Sequence, residues 1–365
     1  LRVHQLVPRL DAGDAIGNQA MAIHELLLEW GMEARIFAFD MDDYGRQFAS
    51  FDSAYREFMP CEEDLLIYHY GLYCDNYRLY IESRNRKVLV YHNVTPPEFY
   101  TAFYPEAVRL CTLGRETLPL LSDCDLALGV SDFNRRELVA AGFDESKTGV
   151  LPINPRMEKL DRAVPDRRLA HWLDDGKTNL LCVGRIVPNK KLEDVIKLFA
   201  CYHRGVNAES RLVFAGPYPI YTYHAALLSL IEKMGLEERV FFLGKVSEEG
   251  LKACYLGSHY YLSMSEHEGF CVPILEAFLF GLPVVAYAAG AVPETMGGAG
   301  ILFHEKDYPL LAELLDRLHR DAFLKERVLS TQRARLEEFR EDRFAEKLYE
   351  VLKRFVPALM EREAS

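Results

Sequence analysis

The stretch "HYYLSMSEHEGFCVPILEAFLFGLPVVAYAA" (residues 259–289) moves from an apolar run through a short polar loop into a second, longer apolar segment. The first run reads as a strand ending near Ser265. Pro273 stands where a helix would begin, a position that tolerates proline because its missing N–H would have had no partner there. Gly281 and Pro283 then stop the helix, and "PVVAYAA" resumes as a strand. Strand, loop, helix and strand in this order form the crossover unit of a parallel sheet. Outward from it the same pattern recurs in "TNLLCVGRI", "RLVFAGP", "RVFFLGK" and "GILF", with helical stretches between them. Earlier in the chain, "RVHQLVP" (2–8), "EARIFAF", "DLLIYHY" (64–70), "KVLVYHN" (87–93) and "LALGVS" (126–131) repeat it once more. A helix pattern through "QAMAIHELLLEW" follows the first of these and stops at Gly31.

The reading is an α/β protein of two doubly wound domains, 1–165 and 166–342, with ligands expected where strands run out into loops. "LDRAVPDRRLAHWLDDGK" (160–177) is polar and contains a proline, which suits a crossover between them. The segment 343–362 has apolar positions at helical spacing and is expected to pack back on the first domain.

Composition bounds the function. The chain has 365 residues, 49% hydrophobic and 27% charged, which is the profile of a globular protein too long for one ordinary core. A formal charge of −12 argues against nucleic acid as the main partner, because a polyphosphate calls for neutralising cations. Eight cysteines without CxxC or CxxH spacing, several inside apolar runs, predict reduced core thiols rather than disulfides or zinc ligands. The sequence shows no signal-peptide pattern and no uninterrupted apolar stretch near ~18 residues. A cytoplasmic protein is expected.

The chemistry lies in the loops. Gly269, Phe270 and Cys271 offer backbone N–H groups ahead of a helix start, where an anion is favoured. Glu268 precedes that turn and Glu276 lies about one turn inside the helix. Carboxylates beside an anion site make sense if they accept hydrogen bonds from hydroxyls, as sugars provide. Taken alone, both glutamates also fit solvated acids at a helix start, Arg185 and Lys190 fit surface cations, and His92 fits a satisfied histidine at a strand end.

In context, the spacing Glu268–x7–Glu276 within "EGFCVPILEAFLFGLPVVA" resembles the signature of retaining GT-B glycosyltransferases of glycosyltransferase family 4. "VGRIVPNKKLEDVI" (183–196), "FLGKVSEEGLKACY" (242–255) and "AAGAVPET" (288–295) are similar to that family's segments. So are "VYHN" (90–93) and "VSDFNRRELVAAGFDESKTGVLPINP" (130–155) in the first domain. The resemblance implies a GT-B fold, with an acceptor-binding first domain and a nucleotide-sugar-binding second domain facing a central cleft. It implies a hexosyltransferase that moves sugar from a UDP- or GDP-sugar to a hydroxyl acceptor with retention, in cell-surface polysaccharide or glycolipid synthesis. Arg185 and Lys190 would hold the diphosphate, Glu276 the ribose hydroxyls, and Glu268 the hydroxyls of the transferred sugar. The amides of Gly269, Phe270 and Cys271 would lie near sugar and phosphate, and His92 would approach the reacting sugar. No metal and no cofactor beyond the donor substrate are implied. The partners would be a saccharide or lipid-linked acceptor, with peripheral contact at the inner face of a membrane, and no nucleic acid.

Two departures stand out. The family commonly has a Gly-Gly pair in the first strand-to-helix loop, whereas "DAGDAIGNQA" separates Gly13 from Gly17, so either could contact phosphate or simply shape a turn. Cys271 occupies a position where many members have a second glycine. Tyr218, Tyr221 and Tyr223 read either as packing or as a stacking wall for a base. An epimerase or phosphorylase of the same architecture, or a nucleotide-sugar binder without turnover, remain alternatives.

Overall fold

The computed structural model describes residues 1–356. Among them the chain forms two compact units. One takes in Leu1–Pro97, Glu106–Arg156 and residues 339–356; the other takes in Glu98–Pro105 and Met157–Glu338.

In the first unit, seven strands are seen among the described residues: β1 (Arg2–Leu10), β2 (Glu33–Met41), β3 (Ala49–Phe51), β4 (Leu65–Tyr70), β5 (Arg86–Tyr91), β6 (Leu126–Gly129) and β7 (Thr148–Val150). They pair in parallel in the order β3-β2-β1-β4-β5-β6-β7. Helices cover the faces, so the central strands are apolar almost throughout; all six residues of β4 are buried. The last helix among the described residues spans Glu341–Leu352, with Trp30 edge-on to Tyr349 at 5.8 Å and Leu348 and Leu352 buried. Residues 357–362 of the expected helix lie outside the described residues.

The second unit holds β8 (Thr178–Val183), β9 (Ser210–Ala215), β10 (Val240–Phe242), β11 (Tyr260–Ser263), β12 (Val284–Tyr287) and β13 (Ile301–Phe303). Their order is β10-β9-β8-β11-β12-β13, again parallel. Both units are Rossmann-like, as expected from the alternation of strand and helix. The strands the sequence reading does not anticipate, β3 and β7, have three residues each, too few to show a period. The polar stretch 160–177 is itself partly helical. It carries the helices Met157–Arg162 and Arg167–Leu173, and the Asp166 N–H donates to the Glu249 carbonyl at 3.0 Å.

Each sheet reverses its strand order once, between β1 and β4 and between β8 and β11. Beyond the carboxyl ends at such a reversal, neighbouring loops diverge and leave room for a ligand. Among the described residues no helix is long and apolar enough to cross a membrane.

Candidate active site

In the second unit the loop after β8 is held by glycine. Gly216, just past β9, has φ 148°, and a Cβ there would lie 2.0 Å from the Gly184 carbonyl oxygen. Only a hydrogen at that position lets the two loops touch. Gly184, at φ 133°, in turn leaves space for the Lys190 side chain. A short turn over Pro188–Lys190 then leads, through Lys191 at φ 50°, into the helix Leu192–Gly205. This path brings Lys190 Nζ to 2.5 Å from Glu268 Oε1, across the β8/β11 reversal. Burial opposes the ammonium charge, but the Glu268 carboxylate outweighs it and holds Lys190 above its usual range. Arg185 is exposed, and its guanidinium has no hydrogen-bond or ion-pair partner among the described residues.

The facing loop after β11 is fixed at several points. Asn189 Nδ2 donates to the His267 carbonyl at 3.0 Å, and the Glu266 N–H donates to the Asn189 carbonyl at 2.9 Å. Lys306 Nζ lies 2.8 Å from Glu266 and 2.8 Å from Asp194. Gly290, at φ 55°, packs on the Glu268 backbone, where a Cβ would sit 2.7 Å from its carbonyl oxygen, and the Ala291 N–H donates to that oxygen. The Thr295 hydroxyl donates to the Phe270 carbonyl. Cys271 turns the chain at φ 77° into the helix Val272–Leu279, a strained setting for a residue with a Cβ. The N–H groups of Gly269 and Cys271 make no hydrogen bonds among the described residues, so this helix start keeps donors in reserve.

Glu276 sits on that helix with Oε2 accepting from the Tyr255 hydroxyl at 2.7 Å. It has no cationic partner among the described residues. Burial pushes its carboxyl up to about 7, with the Tyr255 hydrogen bond pulling only partly the other way.

In the first unit, Gly13 lies in the loop after β1 at φ 80°, with open space around it. Gly17 does not belong to that loop. It is the third residue of the helix Ala15–Glu29, buried, and its N–H donates to the capping Asp14 carboxylate at 3.0 Å. The sequence reading places the helix start too late because it waits for the first strongly apolar residues, whereas the Asp14 cap sets it. His92 directly follows β5, and its Nε2 is 2.9 Å from His69 Nδ1. Burial lowers His92 well below the usual histidine range, and His69 adds to this.

The structure therefore joins Lys190 to Glu268 and sets Gly269, Phe270, Cys271 and Glu276 along the continuation of the same loop and helix. Tyr223 is buried, with its hydroxyl accepting from the Leu192 N–H; Tyr218 stacks on His224 at 4.4 Å between ring centroids, and Tyr221 is exposed. Asn189, Tyr255 and Lys306 are supports that the sequence reading misses, because their partners lie far away along the chain.

Residues 166–337 match the family model described as Glycosyl transferases group 1. That match covers just under half of the chain. The O-antigen chain mannosyltransferase B of Escherichia coli is 25% identical over 253 residues, 65% of this chain and 62% of that protein. The N-acetyl-alpha-D-glucosaminyl L-malate synthase of Bacillus anthracis is 29% identical over 153 residues, covering 41% and 38% respectively. The chain thus spans less than two thirds of these relatives. Among solved structures, Anabaena HepE in complex with UDP and glucose superposes with a TM-score of 0.73 at 16% identity, over 97% of this chain and 100% of that one. Sucrose-phosphate synthase from Thermosynechococcus elongatus gives 0.74 at 16% identity, over 97% and 99%. These likenesses establish the GT-B fold.

Proposed function

We propose that this chain is a retaining, metal-independent hexosyltransferase of family 4, acting on a UDP- or GDP-sugar and a hydroxyl acceptor. The observation that carries the reading is the Lys190–Glu268 bond at the β8/β11 reversal, with Arg185 unspent beside it in sequence and Glu276 buried without a cation. A diphosphate can take the place of that bond. The ammonium then turns to phosphate, and the freed Glu268 accepts from sugar hydroxyls. Arg185 adds the second cation, and Glu276, once ionised, accepts from the ribose hydroxyls. Gly269, Phe270 and Cys271 supply the helix start, Gly13 in the first loop and Gly17 in the helix turn after it are the glycines beside which a phosphate can lie, and His92 contributes from its own unit.

In the reaction the anomeric carbon loses its bond to the diphosphate oxygen and gains one to the acceptor oxygen on the same face. The acceptor proton passes to a phosphate oxygen. Charge growing on the leaving diphosphate is met by Arg185 and Lys190, where fixed cations act most strongly. The kinship with a mannosyltransferase of O-antigen chains supports a role in surface polysaccharide or glycolipid synthesis, in the cytoplasm, with peripheral membrane contact for a lipid-linked acceptor.

The test is nucleotide release from a panel of UDP- and GDP-hexoses, with the product anomer read by NMR and each assay repeated with chelator. Release with retained configuration, unaffected by chelator, is expected. An isomerised nucleotide sugar, an inverted product or a covalent sugar trapped on a side chain would overturn the reading.

A further inference from the structure

Gln5, His69 and His92 form a line across the first sheet at its own reversal. Gln5 of β1 pairs with Ile67 of β4, and His69 lies two residues further along β4, on the same face. His69 pairs with Val90 of β5, and His92 again lies two residues on. The line therefore climbs toward the carboxyl ends of the strands. Gln5 and His69 are wholly buried.

The hydrogen-bond polarity of this line follows from one carbonyl. Gln5 Nε2 donates to the Ala20 carbonyl at 3.0 Å, and a carbonyl can only accept. Gln5 Oε1 thus faces His69 Nε2 at 2.9 Å, and that nitrogen must carry a proton and donate. Burial pulls His69 down to about 3, so its ring is neutral and Nδ1 is a bare acceptor. His92 Nε2, 2.9 Å away, must then be the donor. With Nε2–H in use, the neutral His92 ring leaves Nδ1 as a lone pair, and that atom is buried without a partner among the described residues.

We infer that Gln5 and His69 are positioning residues that lock His92 in its Nε2–H form and present Nδ1 as an acceptor for a ligand hydroxyl. This rests on the proposed glycosyltransferase reading for the ligand, but the lock itself does not. A lone pair of this kind receives a hydroxyl proton and rejects a phosphate oxygen, which has none to give when ionised. His92 therefore selects sugar rather than diphosphate. Buried polar groups of this sort discriminate strongly, because a partner lacking the donor leaves them unsatisfied.

The test is the long-range proton–nitrogen NMR spectrum of the full chain labelled at histidine nitrogens, with His92 assigned by its loss in His92→Gln. A single Nε2–H form is expected in the free protein, and mixed forms in Gln5→Leu or, should that variant not fold, in His69→Leu. An Nδ1–H form in the wild type, or an unchanged His92 in the variants, would overturn the inference. UDP-glucose and GDP-mannose are then added against UDP and GDP. Whichever sugar nucleotide raises the melting temperature should also move the Nδ1 resonance, and its sugar-free partner should not. Binding without that movement sinks the ligand half of the inference. If neither binds, the rest of the UDP- and GDP-hexose panel is added in turn; binding by none of them defeats the glycosyltransferase reading, while the tautomer result still decides the lock.

Discussion

Replacing Glu276 by glutamine should stabilise the second unit at alkaline pH and leave it unchanged in acid. The carboxyl stands at about 7 in the folded chain against an ordinary 4.5, because burial penalises the charge and no cation compensates. Between those two values the folded state holds a proton that the unfolded state has released. Stability therefore falls as pH rises through this window, opposite in sign to the usual salt-bridged carboxylate. At about 1.4 kcal/mol per pH unit, the cost of ionised Glu276 reaches ~3 kcal/mol above pH 7. Glutamine keeps an oxygen for the Tyr255 hydroxyl and carries no charge, so it removes the cost without opening a cavity.

Urea unfolding followed by Trp172 fluorescence measures this directly. Trp172 stands edge-on to Phe241 at 5.0 Å, inside the second unit, and Trp30 is the chain's other tryptophan. A Trp30→Phe background therefore makes the signal report the second unit alone. Glu276→Gln should match its parent near pH 4.5 and exceed it by about 2–3 kcal/mol at pH 8. Equal differences at both pH values would refute the claim that burial without a cation sets this carboxyl. Donor affinity should run the other way, rising through pH 7 in the parent and staying flat and weak in the variant, since only the carboxylate is a strong acceptor for ribose hydroxyls.

Arg185→Ala should leave stability within about 0.5 kcal/mol, the range for exposed side chains without partners, yet lower turnover at least ~10²-fold; paired denaturation and rate measurements check both halves. Lys190→Met strands the Glu268 carboxylate and should destabilise by about 3 kcal/mol, most of it recovered in Lys190→Met/Glu268→Gln, as a double-mutant cycle would show. Gly290→Ala sets a Cβ at 2.7 Å from the Glu268 carbonyl oxygen at a positive φ, and should cost about 1–3 kcal/mol in thermal denaturation and weaken donor binding.

Much of the fold can be read along the chain, because doubly wound sheets bury both faces of their strands. "DLLIYHY" and "TNLLCVG" announce themselves as mostly apolar runs, and β4 and β8 lie there. The glutamate pair was also legible, since Pro273 marks the helix start that separates Glu268 from Glu276. What local pattern does not show is pairing across the sheet. Lys190 meets Glu268 across 78 residues, Tyr255 meets Glu276 from a different helix, and Gln5 reaches His69 across 64. Gly17 shows the opposite failure. A short-range rule was available in Asp14, whose carboxylate caps the helix, but the apolar period hid it.

The departures from good local chemistry in the second unit gather around one loop. Cys271 takes a left-handed conformation without being glycine, Glu276 is buried without a cation, and Lys190 is drawn into a contact that burial opposes. The first two are costly to the fold, and selection for stability alone would have placed glycine and glutamine there. Their common position at the β8/β11 reversal means that one ligand can relieve more than one of them, by offering negative charge to Lys190 and hydroxyls to the carboxylates. A diphosphate joined to sugars at both ends carries both kinds of group. Inorganic diphosphate carries only the first. It should therefore engage Lys190 and leave Glu276 at its raised value, whereas a sugar nucleotide should pull Glu276 down. A titration of that carboxyl by NMR with each ligand separates the two, and an identical response to both would mean that charge alone is what this loop recognises.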